Sequence, residues 1–254
     1  MRTYKGYLLD LDGTMYRGNE VIEAGRRLVH RLNEAGIPHV FVTNNSSKTP
    51  EEAAEKLRLL DIPARKEQVM TSSLAAARYI TRHFGESRVY TIGEHGLHSA
   101  LKEEGHTTTR GHSDVVLMGI DRSISYEKLA QASLHVRRGV PFLATNADKA
   151  IPVEEGMVPG NGALVSVVET ASGKTPTYIG KPESVIMEEA LAMLQLQKKE
   201  VLMVGDNYDT DIQAGIRADI DTLLVFSGVT SSGELPHKEK QPAHTCDSLD
   251  EWEI

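Results

Sequence analysis

Short apolar runs alternate with helical stretches along almost the whole of this 254-residue chain, and no other feature restricts its fold so much. Gly6–Asp10, "HVFVT" (39–43), "VLMVGD" (201–206) and "TLLVF" (222–226) read as strands. Between the first two, Ala24, Leu28, Val29 and Leu32 share one helical face, and Gly36 supplies a C-terminal stop. "TPEEAAEKLRLL" opens a second helix with Thr49 as N-cap, Pro50 at the first helical position and acidic residues in the first turn. A third helix starts near Ser72 or Ser73, and "PESVIMEEALAMLQL" and "TDIQAGIRA" continue the alternation. The expectation is an α/β fold with a mainly parallel sheet.

Composition removes several classes. With 40% hydrophobic and 25% charged residues the chain is ordinary for a soluble globular protein. Its single cysteine, Cys246, allows neither a disulfide framework nor a cysteine-based zinc site. No run of about 18 apolar residues offers a membrane span, and the N-terminal "MRTYKGYLLDLDG" lacks the apolar stretch of a signal peptide. A cytoplasmic location is the resulting expectation. A net charge of −8 argues against a nucleic-acid surface, so an anionic ligand must be drawn in by local positive groups or a metal.

The strand "YLLDLDGT" (7–14) runs into two aspartates, Asp10 and Asp12. Unpaired buried carboxylates are costly, so something must neutralise them. Two other strand ends are polar, at Thr43 and Asp206. Ligands of open parallel sheets bind outside the carboxyl ends of the strands, which would bring these positions together. Lys181, in "YIGKPES", sits before a proline and so on an extended loop, with Pro182 suited to the first turn of the following helix.

"DLDGT" (10–14), "VTNN" (42–45), Lys181 in "GKP" and "GDNYDTD" (205–211) together resemble the four motifs of the haloacid dehalogenase superfamily. Their order and spacing are similar to the phosphatase branch that includes NagD and p-nitrophenyl phosphatase-like enzymes. The resemblance implies a Rossmann-like core and a Mg2+-dependent phosphatase of small phosphorylated metabolites: sugar phosphates, acid sugar phosphates or nucleotides. Asp10 would be the nucleophile and Asp12 the general acid and base. Mg2+ would be held by the Asp10 side chain, the Asp12 carbonyl and Asp206, with Asp211 nearby holding a metal-bound water. Thr43, Lys181 and the backbone near Leu11 and Asn44 would bind phosphoryl oxygens. A phosphotransferase or mutase using the same phosphoenzyme, or a phosphoryl-accepting signalling module, are the alternatives. Caps in this group sometimes mediate homodimers.

Taken singly, each residue has a plainer reading: Asp10 and Asp12 as turn formers, Thr43 as a strand end, Lys181 as a solvated lysine. Four motifs in order favour the site. Asp209 is expected to face solvent or cap a helix. His95 and His98 beside Glu94 suggest a metal face but have no third ligand. "GNGAL" (160–164) lacks the ending of a P-loop.

The stretch between Thr43 and Lys181 is long enough for a separate domain. Within it "RVYTIG", "DVVLMG" and "PFLATN" read as strands, and "SYEKLAQASLHVRRG" and "GALVSVVETASG" as helices. The expected organisation is a catalytic core of residues 1–81 and 177–254, with an α/β cap of residues 82–176 inserted. Within the cap, "ATNADKAIP" (144–152) carries Asn146 and Asp148, which can hydrogen-bond substrate hydroxyls. A local turn is the competing reading of both.

Overall fold

The computed structural model describes residues 3–254. In chain order they form β1 (Gly6–Leu9), a hairpin of β2 (Tyr16–Arg17) and β3 (Glu20–Val21), α1 (Glu23–Glu34), β4 (His39–Thr43), α2 (Pro50–Leu59) and β5 (Val69–Thr71). Then come α3 (Ser72–Phe84), β6 (Arg88–Ile92), α4 (His95–Glu103), β7 (Thr107–Thr108), β8 (Val115–Met118), α5 (Tyr126–Arg137) and β9 (Phe142–Ala144). A second hairpin, β10 (Ala150–Val153) and β11 (Gly156–Pro159), leads to α6 (Asn161–Ser172) and β12 (Thr177–Tyr178). The chain closes with α7 (Ser184–Leu194), β13 (Val201–Gly205), α8 (Gln213–Ala218), β14 (Asp221–Val225) and β15 (His244–Cys246).

Contacts divide these residues into two units. The first contains the chain up to Thr43, Pro50–Met70 and Lys181–Ile254. Its six-stranded sheet has the order β15-β14-β13-β1-β4-β5, and β1 pairs in parallel with both β13 and β4. β1, β4 and β13 are buried along their whole length, as unbroken apolar strands covered on both faces must be. Tyr7, Leu9, Phe41, Val204 and Leu223 pack with Leu28 and Leu32 of α1 and Leu57 of α2. α7 packs against β1 and β4. α1 ends as its sequence indicates, with Gly36 at φ +67° and the Ile37 N–H donating to Leu32 O at 2.8 Å.

The C-terminal segment is tied to the same unit. Arg27 makes a two-point contact with Asp250 at 2.8 and 2.6 Å, and Arg31 donates to the carbonyls of Leu249 and Trp252. Trp252 is buried, and its indole N–H donates to the Tyr7 hydroxyl at 3.2 Å.

The second unit contains Asn44–Thr49 and Thr71–Gly180. Its sheet has the order β12-β9-β8-β6-β7, parallel throughout. Tyr90, Ile92, Val116, Met118, Phe142 and Ala144 form one core with Ala132 and Val136 of α5 and Val165 and Val168 of α6.

Two expectations need correction. The contact division places α3 with the second unit, not with the core residues 1–81, because it packs on α4: Arg78 Nε lies 3.3 Å from Glu104 Oε1 and the Thr81 hydroxyl 3.1 Å from His106 Nε2. The helical pattern of α3 specified a helix but not its partner. Pro182 does not start α7, which begins at Ser184 with Glu183 before it, and the Lys181–Pro182 peptide is cis.

Candidate active site

The strand order reverses beside β1: the chain moves from β1 to β4 and β5 on one side, while β13, β14 and β15 lie on the other. That is where a parallel sheet opens a crevice at its carboxyl edge. Asp10 follows β1 and Asp206 follows β13, so two carboxylates distant in sequence converge there. Asp211 joins them through the wide turn Tyr208–Ile212. The Asp211 N–H donates to Asn207 O at 2.9 Å, and the Asn207 N–H donates to Asp211 Oδ2 at 3.1 Å. Oxygens of Asp10, Asp206 and Asp211 all lie within 4.8 Å of one another, and all three residues are buried. Among the described residues this is the one group of three or more potential metal-ligating side chains; His95 and His98 are not part of one.

Lys181 is 3% exposed and crosses the crevice. Its Nζ pairs with Asp10 Oδ1 in a very short contact, lies 2.7 Å from Asp211 Oδ1 and donates to Val42 O at 3.1 Å. Val42 adjoins Thr43, which is buried at the end of β4.

The charges do not balance: three buried carboxylates face one ammonium. Burial, then repulsion from Asp211, raises the Asp10 carboxyl well above the usual range although Lys181 opposes both. Burial and Asp211 also raise Asp206, against the pull of the Val229 N–H. Burial would lower the Lys181 ammonium, but Asp10 and Asp211 outweigh it and hold the proton on. This surplus of buried negative charge fits a bound cation, and a donor set made only of oxygen suits a hard divalent ion such as Mg2+.

Several groups that sequence reasoning missed hold these carboxylates in place. The Thr14 hydroxyl lies 3.2 Å from Asp10 Oδ2 and 3.3 Å from Asp206 Oδ1, and its one proton can serve either. The start of the loop after β14 returns to the site. The Val229 N–H donates to Asp206 Oδ2 at 2.7 Å, and the Thr230 N–H donates to Asp206 O at 3.1 Å. The Ser227 hydroxyl donates to Gly13 O at 2.9 Å. Glycines make this approach possible: a Cβ on Gly13, which has φ +93°, or on Gly228 would overlap the Asp206 carboxylate. The available signal was the glycine in "SGVT" directly after a strand.

Asp12 stands apart from the buried cluster and is exposed, yet the surrounding protein raises its carboxyl; the positive charges opposing this are Lys56 first, then Lys181. Asp209 lies outside too, exposed and 2.8 Å from Lys238 Nζ.

Asn44, Asn146 and Asp148 form their own set within the second unit. Asn44 Nδ2 donates to Asp148 Oδ1 at 3.1 Å, Asn146 Nδ2 donates to Asn44 O at 2.8 Å, and the Asp148 N–H donates to Asn146 Oδ1 at 3.1 Å. The last of these is the local turn bond expected of an asparagine two residues upstream.

Residues 7–107 match the family model described as haloacid dehalogenase-like hydrolase, and residues 178–252 a second, HAD-hydrolase-like model. The chain is 52% identical over 252 residues to 5'-nucleotidase YutF of Bacillus subtilis (strain 168), covering 99% of this chain and 98% of that one. It belongs to the haloacid dehalogenase-like hydrolases. Another member, the acid sugar phosphatase of Staphylococcus haemolyticus (strain JCSC1435), is 49% identical over 250 residues, with 98% and 95% covered. The structure of NagD from E. coli K-12 superposes with a TM-score of 0.94 at 32% identity, with 99% of each chain covered. Within the haloacid dehalogenase-like hydrolases the chain is a NagD-like phosphatase, and its α/β fold is that of NagD.

Proposed function

We propose that this chain is a Mg2+-dependent phosphatase that hydrolyses small phosphate monoesters through an aspartyl-phosphate on Asp10. The observation that supports it most is the buried cluster of Asp10, Asp206 and Asp211 with the Lys181 ammonium against Asp10 and Asp211. Asp10, Asp206 and the Asp12 carbonyl would hold the metal, with Asp211 beside them. Bound there, Mg2+ would offset the surplus negative charge that otherwise repels a phosphate dianion.

The chemistry of the residues then divides into two steps. An Asp10 oxygen attacks phosphorus, the bond from phosphorus to the ester oxygen breaks, and the Asp12 carboxyl gives its proton to that oxygen. A water next attacks the phosphorus of the acyl phosphate and passes a proton to the Asp12 carboxylate. Asp10 is released as the leaving group, and inorganic phosphate departs. Burial raises the Asp12 carboxyl from its ordinary value, a direction that favours the proton it must give. Lys181 fixes the Asp10 carboxylate, and Lys181, Thr43 and Asn44 offer donors to the phosphoryl oxygens.

Asp12→Asn tests the covalent step. With p-nitrophenyl phosphate, whose leaving group needs little protonation, the first step proceeds and the second stalls. Acid-quenched Asp12→Asn protein should then carry one phosphate, located on Asp10 by peptide mass spectrometry. Phosphate on another residue, or none under conditions where p-nitrophenol is released in a burst, contradicts the proposal.

We propose that Asp148 accepts hydrogen bonds from substrate hydroxyls, as a carboxylate can. Asp148→Ala should change the ranking of a sugar-phosphate panel by about tenfold or more, the worth of a hydrogen bond to a charged group. Asn146→Ala should do the same while also lowering the thermal midpoint, since its amide holds Asn44 and Asp148 together. Equal losses on every ester, p-nitrophenyl phosphate included, would assign the loop to folding alone.

A further inference from the structure

Thr230, in the loop after β14, is 4% exposed and holds the stretch that carries Asp206 and Asp211 at two points. Its N–H donates to Asp206 O at 3.1 Å, and its hydroxyl accepts from the Tyr208 N–H at 2.8 Å. The grip therefore falls on both sides of Asn207, whose own N–H donates to Asp211 Oδ2. Next to Thr230, the Val229 N–H donates to Asp206 Oδ2 at 2.7 Å. The same oxygen is the atom that a Cβ on Gly13 or on Gly228 would meet first. Asp206 Oδ2 is thus bonded to one backbone N–H and closely approached by backbone from two segments, whereas Oδ1 lies 3.3 Å from the Thr14 hydroxyl that it shares with Asp10. Further along, the Tyr208 hydroxyl donates to Lys240 O at 2.5 Å, and Tyr208, Ile212 and Leu224 pack with Phe226 and Leu235. All of these residues belong to the first unit.

We propose that Thr230 is a positioning residue that sets which divalent ion the site takes: by pinning residues 227–230 against residues 206–211 it keeps Asp206 a one-oxygen ligand and so favours Mg2+ over Ca2+. The inference rests on the Mg2+ reading of the acidic cluster. Mg2+ accepts a small, near-octahedral shell with few protein oxygens, whereas Ca2+ takes more oxygens at longer distances, often both from one carboxylate. A carboxylate whose second oxygen is held by the Val229 N–H cannot offer both without breaking that bond. Ca2+ must therefore displace the loop, and Mg2+ need not. The hydroxyl of Thr230 is the side-chain part of this device; its other bonds come from backbone N–H groups, which substitution does not remove. Without the hydroxyl the Tyr208 N–H is buried and unpaired, a costly state that is relieved by movement of the turn away from the loop.

The thermal midpoint of the substrate-free protein, followed against Mg2+ and separately against Ca2+, yields a dissociation constant for each ion. In Thr230→Val, which keeps the shape and lacks the hydroxyl, the Mg2+ constant should rise about tenfold or more while that of Ca2+ stays within about threefold. Thr230→Ser, which keeps the hydroxyl, should retain the wild-type preference. A threonine that serves folding alone would lower the midpoint of Thr230→Val in chelator and leave the preference between ions where it was. An unchanged preference in Thr230→Val, equal weakening of both ions, or a loss in Thr230→Ser as large as in Thr230→Val overturns the inference. Hydrogen exchange of the wild-type protein supplies a readout that does not depend on any variant folding. At saturation, Mg2+ should slow exchange in residues 206–212 and 227–231 more than Ca2+ does, and equal protection by the two ions also overturns it. Wild-type protein whose midpoint responds to neither ion would instead refute the Mg2+ reading itself.

Discussion

Asp10→Asn is expected to lower kcat by at least about 10³-fold on every ester while leaving the fold intact, because a neutral amide cannot serve as the nucleophile. The stability expectation has the opposite sign. The folded-state pKa of Asp10 is raised by burial and by Asp211. Ionised Asp10 therefore opposes folding above the carboxylate pKa of the unfolded chain, and that penalty fades as pH falls and the group protonates. In chelator at neutral pH the thermal midpoint of Asp10→Asn should equal or exceed that of the wild type. Part of the relief is lost because Lys181 then faces Asp211 with one partner fewer. Near-normal turnover by a folded Asp10→Asn protein would end the covalent mechanism.

The second large effect concerns the metal. Chelator should reduce phosphatase activity to background, and Mg2+ should restore it. Ca2+ should restore it poorly, since it takes more oxygen ligands at longer distances. Mg2+ should also raise the thermal midpoint of the protein without substrate, because it binds only where Asp10, Asp206 and Asp211 are assembled. Asp206→Ala should raise the Mg2+ concentration for half-maximal activity by at least about tenfold. Full activity in excess chelator, or an unmoved midpoint, would remove the metal from the proposal.

Much of this architecture was legible because it rests on local rules. An apolar run ending in a carboxylate marks a strand edge, and β1 and β13 put Asp10 and Asp206 at such edges. Lys181 was legible from its motif, although its hold on Asp10 and Asp211 depends on how the loop crosses the crevice. The supports of Asp206 were not legible. Val229 contributes a backbone N–H, which every residue but proline possesses, and Thr230 contributes one from a loop with no periodicity. The membership of α3 was hidden for a related reason. Its buried face, including Leu74, Ala77 and Ile80, states that something packs there and not what does. Asn146 shows two uses of one residue type: the side chain that could read a hydroxyl is engaged by Asn44 and Asp148.

Trp252 is the only tryptophan of the chain, and it is buried beside Tyr7 in the first unit. The protein thus carries an intrinsic spectroscopic label on one unit and none on the other. Emission excited at the red edge of the indole band reports the sheet of β1 and β13 and the clamped C-terminal segment, whereas far-ultraviolet dichroism averages over both sheets. Heating curves recorded by the two signals would coincide for a single cooperative transition and separate if the units melt independently. No fluorophore has to be introduced to read that cooperativity.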